Sequence, residues 1–201
     1  MHEVFLYAPN LIGYARVALL AVSYWLVPAR LTAFAGCYLL SFALDFADGW
    51  AARRLDQASV FGEYLDMLTD RVGTLLLAFI GARLPRARLP GLLVLYAVID
   101  VVSHWLQQVV AARGGSHHKR TRSPFALLNL YYADRRLMGV LCLGAELFFV
   151  AYVCAAARGA PAAWALCALC LPVAAGKFGM NALQLLSNCL ALAAERPRPS
   201  P

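Results

Sequence analysis

The sequence predicts an all-α integral membrane protein whose six transmembrane helices form one bundle. Of its 201 residues, 62% are hydrophobic and only 14% are charged, whereas soluble domains carry about a quarter charged residues. Several apolar runs reach the ~20 residues that cross a bilayer. Because backbone N–H and C=O groups must be satisfied internally in lipid, each run is predicted to be a helix. An unusually apolar soluble bundle is the alternative, and the lengths of the runs disfavour it.

Prolines and polar stretches mark the ends of the apolar segments. The first segment opens after Pro9 and Asn10, which we interpret as a helix cap. A turn at 83–90, RLPRARLP, separates the third and fourth segments, since its two prolines break helices. A long polar connection occupies 113–134, and the tail 195–201 is predicted to be disordered. The segments, within one membrane domain of residues 1–194, are 11–27, 31–54, 61–82, 91–112, 136–157 and 162–194.

The basic charge of the chain suits a bilayer rather than a nucleic acid. The formal net charge is +7, but the arginines and lysines lie between the apolar runs, where they face anionic lipid headgroups. An even number of helices places both termini on one side of the membrane. The loops on that side carry more arginine and lysine than the loops on the other side, so the positive-inside rule predicts a multi-pass protein with cytosolic termini.

Carboxylates are concentrated in the second and third segments. Six of the eleven acidic residues fall between Asp45 and Asp70, and intramembrane acids are by default functional. Asp45 and Asp48 are three residues apart, and Asp66 and Asp70 are four apart, so each pair shares one helix face. The short connection predicts that the two helices are antiparallel neighbours. All four carboxylates are then expected to converge in the half of the bundle nearest the cytosolic loop.

Four converging carboxylates repel one another unless cations neutralise them. Hard oxygen ligands suit Mg²⁺ or Mn²⁺, and Mg²⁺ commonly shares its coordination shell with substrate phosphates. A two-metal carboxylate site at a membrane interface is typical of phosphoryl-transfer chemistry. The alternative is that the acids pair with Arg53, Arg54 and Arg71. Burying so many charged groups costs free energy, and a purely structural role for these pairs would not explain that cost.

The residues between the acids fit a nucleotide diphosphate. Gly49 follows Asp48 and removes a side chain where a ligand would approach the helix. Ala52 is also small, and the guanidinium of Arg53 can bind phosphate oxygens in two places at once. Gly62 clears the facing helix in the same way.

The string from Asp45 to Asp70 resembles the signature of the CDP-alcohol phosphotransferase family. The pattern is D-x2-D-G-x2-A-R-x8-G-x3-D-x3-D, and every fixed position is filled. The resemblance implies six transmembrane helices, a site near the cytosolic side, a CDP-linked donor and a homodimer. It implies metal ligation by Asp45, Asp48 and Asp66, with Asp70 as second-metal ligand and catalytic base. The nucleotide-binding positions that it implies are Asp48, Gly49, Ala52, Arg53 and Gly62.

Flanking stretches resemble the eukaryotic members of this family that use myo-inositol as acceptor. They are PNLIGYAR at 9–16, LDMLTDR at 65–71, DVVSHWL at 100–106, SHHK at 116–119 and NLYYADR at 129–135. This likeness implies an enzyme of the endoplasmic reticulum membrane that transfers a phosphatidyl group from CDP-diacylglycerol to myo-inositol and releases CMP.

Charged residues outside the motif allow more than one interpretation. The candidates for the acceptor pocket are Asp100, His104, Lys119 and Arg135. Asp100 and His104 share a face of the fourth helix and could line an inositol pocket or lock helix packing. Lys119 and Arg135 could attract donor phosphates, although binding to anionic headgroups is favoured. Glu146 and Lys177 lie in the last two apolar segments and are predicted to pair with each other, since buried opposite charges usually do.

Two rival functions remain open from the sequence. The aspartate motif does not distinguish inositol from glycerol 3-phosphate, serine or choline as the acceptor. A metal or ion transporter could also use intramembrane acids as a pathway. The acids lie on one side only and no inverted repeat is visible, which favours the enzyme.

Overall fold

Long helices account for all six apolar segments. In the computed structural model, which describes residues 2–113 and 123–194, no strand is present in these ranges. A short 3-10 helix, His2–Leu6, comes first. The helices that follow are α1 (Ala8–Leu26), α2 (Leu31–Arg54), α3 (Val60–Arg83), α4 (Pro90–Arg113), α5 (Ala126–Ala133), α6 (Arg135–Arg158) and α7 (Pro161–Ala193). Each predicted segment ends within three residues of an observed helix end, and the turn at 83–90 is confirmed.

The polar connection before α6 contains a helix that the sequence did not predict. The eight residues of α5 pack against α6 and α7 and bury Leu128 and Tyr131. This helix is much too short to cross a bilayer. The prediction at Lys119 and the predicted tail 195–201 lie outside the described residues.

Local chemistry fixes several helix ends. The Ser59 hydroxyl accepts a hydrogen bond from the Gly62 N–H at 3.0 Å and caps α3. The Asp134 carboxylate caps α6 by accepting from the N–H groups of Arg136 and Leu137. Gly159 ends α6 in the left-handed conformation that glycine tolerates best. The predicted cap at Pro9 and Asn10 is wrong, because both residues already lie in the first turn of α1.

Four helices in the described part of the chain are long and apolar enough to cross a membrane. They are α2, α4, α6 and α7. The other two long helices, α1 and α3, are not among these candidate spans, and they carry Arg16, Asp66, Asp70 and Arg71. In its described ranges the chain is therefore an all-helical protein with four candidate spans, and the charged cluster described below is shared by α1, α2 and α3.

The helices pack in an order that differs from the predicted one. We expected α2 and α3 to be direct neighbours, but they do not pack along each other. Instead α1 packs against both of them. On the other side α3 packs against α4 and α6, and α7 packs against α4 and α6. The short α2–α3 connection therefore passes one end of α1, which lies between the two helices.

The contact between α6 and α7 depends on a missing side chain at Gly144. A Cβ added there would collide with Cγ1 of Val173 and lie 2.9 Å from its Cβ. We expect Gly144→Ala to lower the free energy of unfolding by about 1–3 kcal/mol, the usual cost of overpacking, and Val173→Ala to restore it. Gly139→Ala on the same helix is the matched control, since nothing lies within 4 Å of that site. Thermal unfolding in detergent measures all three, and equal stability of Gly144→Ala and Gly139→Ala would contradict this packing.

Candidate functional site

One buried arginine lies at the centre of the four predicted aspartates. Arg16, on α1, is only 1% exposed. Its Nη1 lies 2.9 Å from Asp45, 2.7 Å from Asp48 and 2.7 Å from Asp66. Its Nη2 donates to Asp70 at 2.5 Å. A single guanidinium therefore brings the carboxylates of α2 and α3 together from between the two helices.

The carboxylates themselves form a site with the composition of a metal centre. One oxygen from each of Asp45, Asp48 and Asp66 lies within 4.8 Å of the others. The side chains of Asp45 and Asp66 are partly exposed, whereas Asp48 and Arg16 are buried. Hard, accessible carboxylate oxygens at this separation suit a divalent cation such as Mg²⁺ or Mn²⁺. Asp70 lies beside this trio and is joined to it through Arg16.

The sequence analysis missed the role of Arg16. From the sequence, Arg53, Arg54 and Arg71 are the alternative partners of the acids, but Arg71 contacts only Asp70 among the four aspartates, at 3.4 Å, and its closer partner is Asp100. The available signal was the basic residue within the first apolar segment, because an intramembrane arginine needs a partner. The sequence could not show which acids pair with Arg16, because that depends on the position of α1 between α2 and α3.

A polar cavity of about 480 Å³ opens beside the cluster. It is bounded by the ends of α1, α2 and α3 and by their connecting loop. All five residues predicted to bind the nucleotide line it: Asp48, Gly49, Ala52, Arg53 and Gly62. A Cβ at Gly49 would meet only the flexible end of Arg53, at 3.4 Å, so Gly49 leaves open space in the cavity. A diphosphate entering this space would meet the side chain of Arg53 and the carboxylates of Asp48 and Asp66, whereas Asp45 and Asp70 are not among the lining residues.

Gly62 has a structural reason as well. A Cβ there would lie 2.7 Å from Oδ1 of Asn10, a buried side chain of α1 that also lines the cavity. Asn10 is fixed by donating to the Val4 carbonyl. Gln57 closes the same wall by accepting the Ala8 N–H at 2.9 Å. Gly62 therefore permits the close approach of α1 and α3. From the sequence, its lack of a side chain was expected to make room for the ligand.

Behind the cluster, a buried ion pair joins α3 to α4 and α7. Nη1 of Arg71 donates to both carboxylate oxygens of Asp100, at 2.7 and 2.8 Å. Asn181 of α7 donates to the same carboxylate at 2.7 Å. Asp100 is 2% exposed, and its carboxylate accepts hydrogen bonds from Arg71 and Asn181. These bonds link α4 to α3 and α7 and hold Arg71 next to Asp70, which favours the packing interpretation of Asp100.

The remaining predicted residues have other surroundings. His104 lies 2.8 Å from the backbone carbonyl of Asp100 in its own helix. Arg135 is exposed at the first residue of α6.

The predicted pairing of Glu146 with Lys177 is wrong. Glu146 accepts hydrogen bonds from Tyr38 at 2.6 Å and Thr74 at 3.1 Å. Lys177 donates to Asn181 at 2.7 Å. Both charged side chains therefore form hydrogen bonds with neutral side chains.

The sequence analysis also overlooked a polar stripe along α7. Lys177, Asn181, Gln184 and Asn188 lie one helical turn apart and are all buried. Gln184 and Asn188 both donate to the Ser103 carbonyl of α4 at 3.2 Å. Their spacing, i, i+4, i+7, i+11, places all four on one face of α7 and is visible in the sequence once neutral polar residues are considered together with charged ones. These bonds attach α7 to α4 and thereby hold Asp100 in place.

These features define a class: an all-helical, membrane-type protein with a carboxylate cluster beside a polar cavity. Residues 6–188 match the CDP-alcohol phosphatidyltransferase family. Curated relatives named CDP-diacylglycerol–inositol 3-phosphatidyltransferase are 43% identical in Rattus norvegicus, 40% in Homo sapiens and 39%, for isoform 1, in Arabidopsis thaliana. The alignments cover 73–74% of this chain and 65–70% of the relatives' own length. The chain belongs to the CDP-alcohol phosphatidyltransferase family. No solved structure matches it.

Arg16 should matter most when no divalent cation is bound. We expect Arg16→Met to destabilise the metal-free protein by about 3–5 kcal/mol, because it leaves converging carboxylates without their shared cation. Added Mn²⁺ should recover part of this loss. Thermal unfolding with EDTA and with Mn²⁺ measures both effects, and Arg30→Met, at an exposed arginine before α2, is the control. If the two variants unfold at the same temperature in EDTA, Arg16 does not hold the cluster.

Proposed function

We propose that this chain transfers the phosphatidyl group of CDP-diacylglycerol to myo-inositol, producing phosphatidylinositol and CMP. The proposal rests on the carboxylate cluster and on the cavity beside it, which is lined by all five residues predicted to bind the nucleotide. Relatives up to 43% identical bear the name of this inositol transferase. The match covers most of the chain, which supports carrying the substrates over to it.

The residues divide the work of the reaction between them. Asp45, Asp48 and Asp66, together with Asp70, would hold the divalent cations. Bound Mg²⁺ or Mn²⁺ would neutralise the charge of the diphosphate and of the leaving CMP. Arg53 lines the cavity and binds phosphate oxygens.

Asp70 acts as the base in this scheme. The acceptor hydroxyl oxygen attacks the phosphorus that carries diacylglycerol, the bond from that phosphorus to the CMP oxygen breaks, and Asp70 takes the hydroxyl proton. Arg71 lies 3.4 Å from the Asp70 carboxylate and is held by Asp100. This contact keeps Asp70 oriented while its other oxygen faces Arg16.

We infer that His104 meets the acceptor. Its side chain is 22% exposed, and its Nδ1 lies 3.8 Å from the carboxylate of Asp100, the partner of Arg71. Arg135 is exposed at the first residue of α6, and we assign it to attraction of anionic headgroups and donor phosphates. We propose the same role for Lys119 from its place in the sequence.

The proposed topology has all six long helices crossing the membrane. Although α1 and α3 are not among the candidate spans, Arg16 of α1 and the acids Asp66 and Asp70 of α3 pair with one another within the bundle. The aspartates lie in the halves of α2 and α3 nearest their connection, so the cavity opens on the side of both termini. The basic loops on that side place it in the cytosol. We further propose a homodimer in the endoplasmic reticulum membrane.

A panel of acceptors tests the proposed activity. Purified protein is given CDP-diacylglycerol, Mg²⁺ or Mn²⁺, and one alcohol at a time: myo-inositol, glycerol 3-phosphate, serine or choline. We expect CMP release only with myo-inositol. CMP release with a different alcohol would rule out myo-inositol as the acceptor but would still support phosphatidyl transfer from CDP-diacylglycerol. No release with any alcohol would favour the transporter alternative.

Asp70 and Asp45 should fail in different ways. Asp70→Asn keeps the size of the side chain but cannot accept a proton, so we expect the rate to fall by ~10²–10⁴-fold while donor binding persists. Asp45→Asn should weaken donor and metal binding together, because Asp45 belongs to the trio of converging oxygens. Donor binding and inositol-dependent CMP release are measured for both variants. Near-normal turnover by Asp70→Asn would place the base elsewhere, with His104 as the next candidate.

A further inference from the structure

Lys177 is a buried cation in the middle of α7. It is 4% exposed, its Nζ donates to Oδ1 of Asn181 at 2.7 Å, and it lies 5.5 Å from the centre of the Tyr131 ring. Its close partners are therefore a neutral amide and an aromatic ring. A charge inside an apolar helix costs free energy and is by default functional. Lys177 therefore calls for a role beyond filling space.

Lys177 determines which end of the Asn181 amide faces Asp100. An amide carries an acceptor oxygen and a donor NH2 group, whereas a lysine ammonium only donates and a carboxylate only accepts. With the oxygen of Asn181 bound to Lys177, its Nδ2 faces the Asp100 carboxylate and donates to it at 2.7 Å. Turning the amide over would place two donors against each other and two acceptors against each other. The charge of Lys177 thus holds Asn181 as a donor to Asp100.

From Asp100 the same hydrogen bonds lead to the proposed catalytic base. Nη1 of Arg71 donates to both carboxylate oxygens of Asp100, at 2.7 and 2.8 Å. Nη2 of the same guanidinium lies 3.4 Å from Oδ2 of Asp70, and Arg16 binds the other oxygen, Oδ1. The groups that join α7 to Asp70 in this way form one polar network: Lys177, Asn181, Asp100 and Arg71.

Helix packing alone does not explain a charge in this network. Gln184 and Asn188 already attach α7 to α4 by donating to the Ser103 carbonyl at 3.2 Å, and both are neutral. Apolar side chains of similar size often pack buried helices as well as charged groups do, or better. A lysine therefore costs free energy that the packing of α7 does not require, and its distinctive effect is on the orientation of Asn181.

We propose that Lys177 and Asn181 are positioning residues for Asp70. The proposal rests on the proposed function, in which Asp70 takes the proton of the acceptor hydroxyl. By fixing Asp100 they fix the Arg71 guanidinium, which in turn holds the Asp70 carboxylate on the side of its Oδ2. Placement of the base affects the rate strongly, because a shift of about 1 Å at a reacting group can cost about 10²-fold. Neither positioning residue needs to touch a substrate, so the effect falls on the rate and not on binding.

An apolar replacement of the α7 pair tests this role. Lys177→Met together with Asn181→Leu keeps both side chains near their native size and leaves neither of the two with an unpaired polar group, so the bundle is expected to fold. Ser187→Ala is the matched control, because it removes another α7 hydrogen bond, with Ser123 at 2.9 Å, outside the polar network. Thermal unfolding and binding of CDP-diacylglycerol show that the variants are folded. For each variant, kcat and the KM of the acceptor are measured from CMP release.

We expect the paired replacement to lower kcat by about 10–100-fold, the usual cost of losing a residue that supports a site from behind. The KM of the acceptor and the binding of the donor should be unchanged, and Ser187→Ala should leave kcat unchanged. A normal kcat after the paired replacement would show that the pair only packs α7. A raised acceptor KM at normal kcat would make the pair a binding site. Either result would overturn the proposal.

The Asp70→Asn background tests whether the effect passes through the base. With the carboxylate gone there is no base to position, so the paired replacement should lower the residual kcat of Asp70→Asn far less than it lowers the kcat of the wild type. An equal fold-change in both backgrounds would show that the pair acts independently of Asp70, which contradicts the proposal. CMP release by the wild type is measured first, with whichever alcohol of the panel it accepts. If the wild type releases none, the proposed function fails and the positioning role fails with it, whereas a normal kcat after the paired replacement beside an active wild type rejects the positioning role alone.

Discussion

The buried guanidinium of Arg16 is the constraint on which the rest of the site depends. A cation that is 1% exposed within an apolar bundle requires anions around it, and four carboxylates from α2 and α3 supply them. Because Arg16 belongs to α1, this helix must lie between the two helices that carry the acids. Gly13 permits the approach on the α3 side, since a Cβ there would lie 2.8 Å from the Leu65 side chain.

Three faces of helix α3 contact three different environments. Asp66 and Asp70 contact Arg16, Arg71 contacts Asp100, and Leu65 and Val72 line an apolar groove between α1 and α3. Successive residues of a helix are rotated by about 100°, so adjacent positions can face chemically opposite environments. The carboxylate cluster, the Arg71–Asp100 ion pair and an apolar surface therefore lie within about two turns of α3.

The sequence predicted local features well and long-range partners poorly. Helix ends follow from prolines, caps and apolar run lengths, so all six long helices were found. The motif between Asp45 and Asp70 has a spacing that identifies its family without a structure. Helix neighbours were wrong, because a short α2–α3 connection does not reveal that α1 enters between them. The partners of Arg16, Glu146 and Lys177 depend on that packing, and α5 was hidden within a stretch whose flanks are polar.

We propose that the Asp45, Asp48 and Asp66 trio binds a divalent cation beside Arg16. A Mn²⁺ titration of the purified protein without substrates, followed by electron paramagnetic resonance, measures this binding directly. We expect saturable binding by the wild-type chain and binding weakened by about tenfold or more in Asp48→Asn, since even supporting residues of metal sites cost 10–100-fold when lost. Glu3→Gln, outside the cluster, should bind as the wild type does. Equal Mn²⁺ binding by Asp48→Asn and the wild type would rule out the trio as the cation site.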